Sequence, residues 1–352
     1  MTGGAPATEA GGRATIVDVA RLAGVSTSTV SHVVNGTRAV RATTRSRVLD
    51  AIRQTSYTQH AAARALRRSS TESIGLVISD SGQPAFADMV RGVEQAASES
   101  GFVLLLANSA EDPDRELRAI EALQSRRVDG IILARTADSS AAALDWPRAQ
   151  DVPVVLLDRL SDVPFDQVGV DNESAMRTLV GHLLDLGHRE IALVAGNLAV
   201  PTLRERRAGF ASAHAARGLA VDPALVLTGP GDVESSRAAV AELLTGARRP
   251  TAIVSASSPI AIGTLRAAAD LGVRIPRDVA FVSFDSLPTS DLMNPPMTTA
   301  EQPATAVGRE AMRLLARRLG QPDAAPTTVR LAATIAHRVS CGCGRPGSPL
   351  EG

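Results

Sequence analysis

Lysine is absent from the chain, aromatic residues make up only 2% of it, and cysteine occurs twice. Each scarcity excludes something. Cys341 and Cys343 are too few and too close together to staple a fold, which rules out a disulfide framework and fits a reducing compartment. Their neighbour His337 invites a metal site, but three donors in a terminal strand and tail lack a fourth at the usual spacing, so no metal or cofactor is expected. So few aromatics deprive any sugar pocket of its usual ring faces. No apolar run approaches the length needed to cross a bilayer, and the opening MTGGAPATEAGGRAT carries no apolar core of an export signal. The chain is therefore expected to stay in the cytoplasm, with residues 1–14 as a disordered tail.

The net charge of zero hides an uneven distribution. Residues 1–70 hold ten arginines against Glu9, Asp18 and Asp50, a balance of +7 that leaves −7 on the rest. A basic head on an acidic body is the footprint of a polyanion-binding module joined to a part that stays off the polyanion. Every basic residue is arginine in both parts, which reads as a coding bias.

From Thr15 to Thr55 the segments are short and helical. Thr15 and Asp18 form a capping-box start, Ala20 and Ala23 keep the first helix slim, and Gly24 suits the left-handed conformation of a tight turn. A second helix is expected over 26–35, with Val30, Val33 and Val34 inward and Thr27, Ser28, Ser31 and His32 outward. A third, over 43–54, closes the core with Val48 and Ile52. In a helix-turn-helix the second helix lies in the major groove, and hydroxyls and an imidazole near its start can meet base edges. A merely solvated face would be rich in glutamate and lysine.

After Ser69 the texture changes. Apolar runs over 74–78, 102–107, 130–134 and 152–157 alternate with amphipathic helices; the cycle restarts at Asp171 and repeats over 191–195, 225–227, 252–256 and 280–284. Two doubly wound α/β lobes follow, with a cleft at the carboxyl ends of their strands. The segment NPPMTTAEQ, 294–302, breaks the alternation and reads as a crossover to the first lobe, followed by a helix over 305–319.

The stretches TIVDVARLAGVSTSTVSHVVNGTRAV, SIGLVISDSGQPAFADMVRGVEQAA, HLLDLGHREIALVAG, ERRAGF and IPRDVAFVSFDSLP resemble the lactose-repressor-type (LacI/GalR) family of bacterial transcription regulators, and the likeness runs from Thr15 to about Gly342. The reading helix is most like that of the purine repressors. The resemblance implies a helix-turn-helix head (15–58), a hinge helix or linker (59–71), a two-lobed periplasmic-binding-protein-like body (72–342) and a flexible tail (343–352). Lobe 1 is expected over about 72–170 and 300–325, lobe 2 over 171–293 and 326–342. It implies a homodimer on a pseudo-palindromic operator, no enzyme activity, and a small polar effector such as a sugar.

For DNA the resemblance carries over to Thr27, Ser28, Thr29 and His32 as readers of a half-site, Arg38 as a further contact, and Asn35 as a phosphate anchor. In the hinge segment AAARALR it implies Ala63, Arg64 and Leu66, the leucine acting as a minor-groove wedge. For the effector it implies Asp80, Phe86, Asp158, Arg159, Arg206, Ser257, Asp285 and Gln302. The chain departs from the family at Gln59-His60 and Ala62 in the hinge. In the pocket it departs at Ala85, at Val233, and at Ser257-Ser258, where relatives carry Asn-Asp.

Two other classes fit worse. A dinucleotide enzyme would need a glycine where Glu234 follows Gly229-Pro230-Gly231, and no Gly-x-Ser-x-Gly elbow occurs; His182 and His188, six apart, read as structural. A solute-binding protein of the periplasm would need an export signal and no basic head.

Overall fold

The structure, a computed structural model, describes residues 14–35, 37–57 and 70–343, with the side chain of residue 35 left out. Apart from residues 14, 70–71 and 343, the expected tails and hinge segment, with Ala63, Arg64 and Leu66, lie outside the described residues, as does the Asn35 side chain. Among the described residues no helix is long and apolar enough to cross a membrane.

The chain divides into two units, residues 1–71 and 72–352. In the first, α1 (Ile16–Ala23) starts at the expected capping box: Asp18 Oδ2 accepts from the Thr15 backbone N–H at 2.9 Å, and Thr15 Oγ1 from the Asp18 N–H at 3.4 Å. It ends at Gly24, whose φ of 62° closes the turn into α2 (Thr27–Asn35). α3 (Ala42–Thr55) completes the unit. Val19, Ala20, Ala23, Val30, Val48 and Ala51 are buried together, and Val25, Val33, Val34 and Ile52 pack against them.

The second unit holds two six-stranded sheets. The first comprises β1 (Ser73–Ile78), β2 (Val103–Asn108), β3 (Gly130–Leu133), β4 (Val154–Leu157), β5 (Asp166–Val170) and β11 (Thr328–Leu331), in the order β11-β5-β4-β3-β1-β2. The second comprises β6 (Ile191–Gly196), β7 (Val226–Thr228), β8 (Ala252–Ser255), β9 (Ala280–Phe284), β10 (Thr298–Glu301) and β12 (Thr334–Ala336), in the order β12-β10-β9-β8-β6-β7. Pairing is parallel except between β10 and β12. The central strands are buried on both faces, which is why they read as unbroken Val, Ile and Leu runs.

Two expectations about the lobes are corrected. Residues 328–331 do not belong to lobe 2: they pair in parallel with β5 in the first sheet, Leu331 opposite Val170. Residues 298–301 are not a bare crossover but β10, a strand of the second sheet, so the return to the first lobe begins after Glu301. Both strands are short and threonine-bearing, and β11 is an edge strand whose burial alternates, so neither shows the apolar run of a central strand. The chain thus passes between the sheets three times, after β5, β10 and β11.

Helices pack in pairs on the sheets, and three of the pairs cross at glycines, at Gly92 with Gly308, at Gly209 and at Gly263. Where α4 (Pro84–Glu99) meets α11 (Ala304–Gly320), a Cβ on Gly92 would lie 2.1 Å from the Thr305 carbonyl oxygen, and one on Gly308 equally close to that of Met89. Backbone cannot retreat as a flexible side chain can. Gly92→Ala is therefore expected to destabilise the body by about 1–3 kcal/mol, read as a lower urea midpoint. Gly320→Ala, where nothing lies within 4 Å, should leave the midpoint in place.

Candidate functional site

The outward face of α2 is built from short side chains. Thr27 and Ser28 are exposed, while Thr29 and His32 are half-buried. Ser26, just before the helix, organises them: its Oγ lies 2.8 Å from Ser28 Oγ and 2.9 Å from Thr29 Oγ1, and it accepts from the Thr29 N–H at 3.2 Å. The hydroxyls therefore form a preset cluster at the helix start, where unpaired backbone N–H groups also favour an anion. His32 Nδ1 lies 2.9 Å from Thr37 Oγ1. That contact fixes the ring and leaves Nε2 as the nitrogen able to meet a base edge. Arg38, expected as a further DNA contact, is exposed.

In the body, the carboxyl ends of the strands of both lobes open on one cavity of about 490 Å³. All eight residues expected at an effector site lie in its wall: Asp80 and Phe86, Asp158 and Arg159, Arg206, Ser257, Asp285 and Gln302. They reach it in different ways. Asp80 is a turn residue, accepting from the Gly82 N–H at 2.8 Å and Gln83 Nε2 at 3.1 Å, so it shapes the entry to α4 as well as the rim. Phe86, in the first turn of α4, supplies an aromatic wall and is otherwise core. Ser257 caps α10 (Ser258–Asp270) in extended conformation with no side-chain capping bond, leaving its hydroxyl for the cavity.

Asp158 and Asp285 occupy matching places at the ends of β4 and β9, with φ of 67° and 72°. Non-glycine residues in this left-handed region carry local strain that surrounding structure must hold. The two guanidiniums are buried and engaged. Arg159 donates to Glu111 Oε2 at 2.9 Å and to the Arg135 carbonyl at 2.7 Å, with a second bond to Glu111. Arg206, in α8 (Pro201–Ala215), is only 4% exposed. It donates to Asn172 Oδ1 at 2.9 Å, to the Ala256 carbonyl at 2.8 Å, and to Asp285 at 3.4 Å. Its carbon centre lies 3.6 Å over the Phe284 ring.

These bonds continue outward. Asn172 donates to Glu205 at 2.8 Å, Arg330 of β11 donates to the same carboxylate at 2.8 Å, and Gln302 donates to Asp285. Asn172, Gln302 and Arg330 each lie on or beside a different passage between the lobes. One network at the cavity floor therefore touches all three passages. Sequence reasoning did not find Glu111, Asn172 and Glu205. Glu111 follows β2 much as Asp158 follows β4, so its strand-end position was a usable signal; the pairings of Asn172 and Glu205 link distant segments and left none.

Burial pushes the Asp158 carboxyl above the usual carboxylate range; Arg159 and Arg206 draw it down, and Asp285 and Glu205 push it up again. An acid whose folded pKa is raised weakens the fold above that pKa, and the penalty fades as pH falls through it towards the unfolded value. Asp158→Asn should therefore raise stability at neutral pH, with the advantage shrinking in acid. Urea midpoints across pH check this, and an equal gain at all pH values would contradict it.

Family models match both units of the chain. Residues 15–59 match the family described as "Bacterial regulatory proteins, lacI family", and residues 71–336 match "Periplasmic binding proteins and sugar binding domain of LacI family". The HTH-type transcriptional repressor PurR of Haemophilus influenzae strain PittEE is 34% identical over 311 residues, 88% of this chain and 92% of that protein. The transcriptional regulator CelR in complex with cellobiose shares 32% identity and a TM-score of 0.70, covering 93% of this chain and all of that one. The lac repressor dimer bound to operator and the anti-inducer ONPF shares 28% identity and a TM-score of 0.84, covering 94% and 99% of the two chains. A reading helix with a preset polar face, joined in one chain to two lobes around a charged cavity, belongs to the LacI family of bacterial regulatory proteins: this chain is a DNA-binding transcriptional regulator and not an enzyme.

Proposed function

We propose that the chain is a repressor that pairs as a homodimer on a pseudo-palindromic operator and changes its grip when a small polar metabolite, a neutral sugar first among the candidates, fills the interlobe cavity. One observation carries the ligand class. The cavity wall holds the carboxylates of Asp80, Glu111, Asp138, Asp158, Asp232 and Asp285 against two guanidiniums, both already bonded within the protein. Such a wall repels anions, while ionised carboxylates accept strongly from ligand hydroxyls. The cellobiose complex of CelR is a relative's example of the same ligand class.

On DNA, arginines of the head hold phosphates, Thr27, Ser28, Thr29 and His32 face base edges, and Asn35 and Arg38 keep register. Ala63, Arg64 and Leu66 of the hinge segment reach the minor groove between half-sites, the leucine opening a base step. Such a regulator acts in the cytoplasm, where the operator is. A ligand shifts DNA affinity only through its different affinity for the two lobe arrangements.

Fluorescence anisotropy of the full chain on fragments of its own promoter region, with and without sugars, nucleobases and small acids, tests this reading. A fragment bound in a salt-dependent manner and released by a neutral sugar is expected; a response confined to acids would refute the assignment of ligand class. His32→Ala should relax preference at one base pair per half-site by about 1–3 kcal/mol, measured on a half-site library. Asp285→Asn removes a charged acceptor worth about 1.5–3 kcal/mol, and calorimetry should show the sugar's Kd rising tenfold or more.

A further inference from the structure

Three metal-binding side chains, one of them from far upstream in the sequence, meet within the second lobe outside the cavity lining, with a second histidine ring beside them. His182 comes from α7 (Asn172–Asp185), His337 follows β12, and Cys341 and Cys343 flank Gly342 at the end of the last helical turn. His182 Nε2 lies 3.3 Å from Cys341 Sγ, and Cys341 Sγ 2.7 Å from Cys343 Sγ. The three ligand atoms all fall within 4.8 Å of one another. The His337 ring stands edge-on to that of His182, with centroids 4.4 Å apart. Gly342 makes the convergence possible: its φ of 86° folds the chain so that both sulfurs turn the same way, each contacting the Arg338 carbonyl.

We propose that His182, His337, Cys341 and Cys343 form a zinc site, one ion per chain, that fastens the end of the chain to α7. Tetrahedral zinc with two sulfur and two nitrogen ligands has Zn–S bonds of about 2.3 Å and Zn–N bonds of about 2.0–2.1 Å, which sets neighbouring sulfur and nitrogen ligands roughly 3.5 Å apart. The His182–Cys341 spacing already meets this, and the sulfurs need only part by about 1 Å. Two thiols this close could also pair as a disulfide. The histidines decide between the two: a disulfide uses neither, whereas zinc uses both, and paired cysteines in a reducing compartment more often bind metal than cross-link. On this proposal the fourth ligand that His337, Cys341 and Cys343 lack locally is His182, 155 residues upstream of His337 on another element.

Full-length protein, reduced and stripped with a chelator, is titrated with Co²⁺ as the spectroscopic probe and then with Zn²⁺. One equivalent of Co²⁺ should bind with sulfur-to-metal charge-transfer absorption and tetrahedral d–d bands, and Zn²⁺ should displace it. Cys343→Ser, at a half-buried position, should lose the charge-transfer intensity of one thiolate. His337→Ala, at an exposed position, should weaken Zn²⁺ binding roughly tenfold or more. Circular dichroism of both variants controls for folding. Reduced protein that takes up no Co²⁺, or uptake unchanged in both variants, overturns the site. So does protein that binds no metal and instead loses both thiols in air, lighter by two hydrogens, which would make the cysteines a redox pair.

Discussion

A guanidinium shut away from water must have its charge and its protons answered, and Arg206 imposes that demand on the floor of the cavity. Asn172, the Ala256 carbonyl and Asp285 answer it, and the Phe284 ring lies beneath. The same bonds, extended through Glu205 to Arg330 and through Asp285 to Gln302, touch every strand of chain that joins the lobes. Any ligand that bonds to Asp285 or crowds Arg206 thus acts on the segments that must bend when the lobes move. On the proposed function, binding and switching share one set of atoms.

The body is organised so that this point is shared by two halves. Each lobe ends a central strand with an aspartate held in the left-handed region, Asp158 and Asp285, and each lobe's buried arginine is held by its neighbours before any ligand arrives. Glycines at the helix crossings allow the layers behind to approach backbone to backbone, which makes each half a stiff body. Motion is then directed into the three passages. The head follows different rules: its core is six small or β-branched residues, and the outward face of α2 carries hydroxyls and one imidazole. Its excess of arginine attracts the duplex.

Much of this was legible in the residues. Thr15, Asp18 and Gly24 announced the first helix and its turn through local chemistry that does not depend on distant contacts. The central strands announced themselves as apolar runs, and the family resemblance, not the runs themselves, named the eight cavity residues. What could not be read depended on long-range pairing. β10 and β11 are short and carry threonine and charge, so only their partners make them strands, and the lobe boundaries shifted with them. Asn172 looks like an ordinary first-turn residue until Arg206 is seen beside it. The contact of His182 with Cys341 was likewise out of reach of the sequence, because the two are 159 residues apart.

The central claim is that cavity occupancy and operator binding are one coupled equilibrium. Coupling of this kind is reciprocal: if ligand weakens operator binding by some factor, operator must weaken ligand binding by the same factor. Titrating the sugar into the full chain by calorimetry, alone and saturated with operator, measures it directly. The account predicts a ligand Kd that rises on operator by the factor by which ligand raises the operator Kd. An identical ligand Kd with and without operator would contradict it.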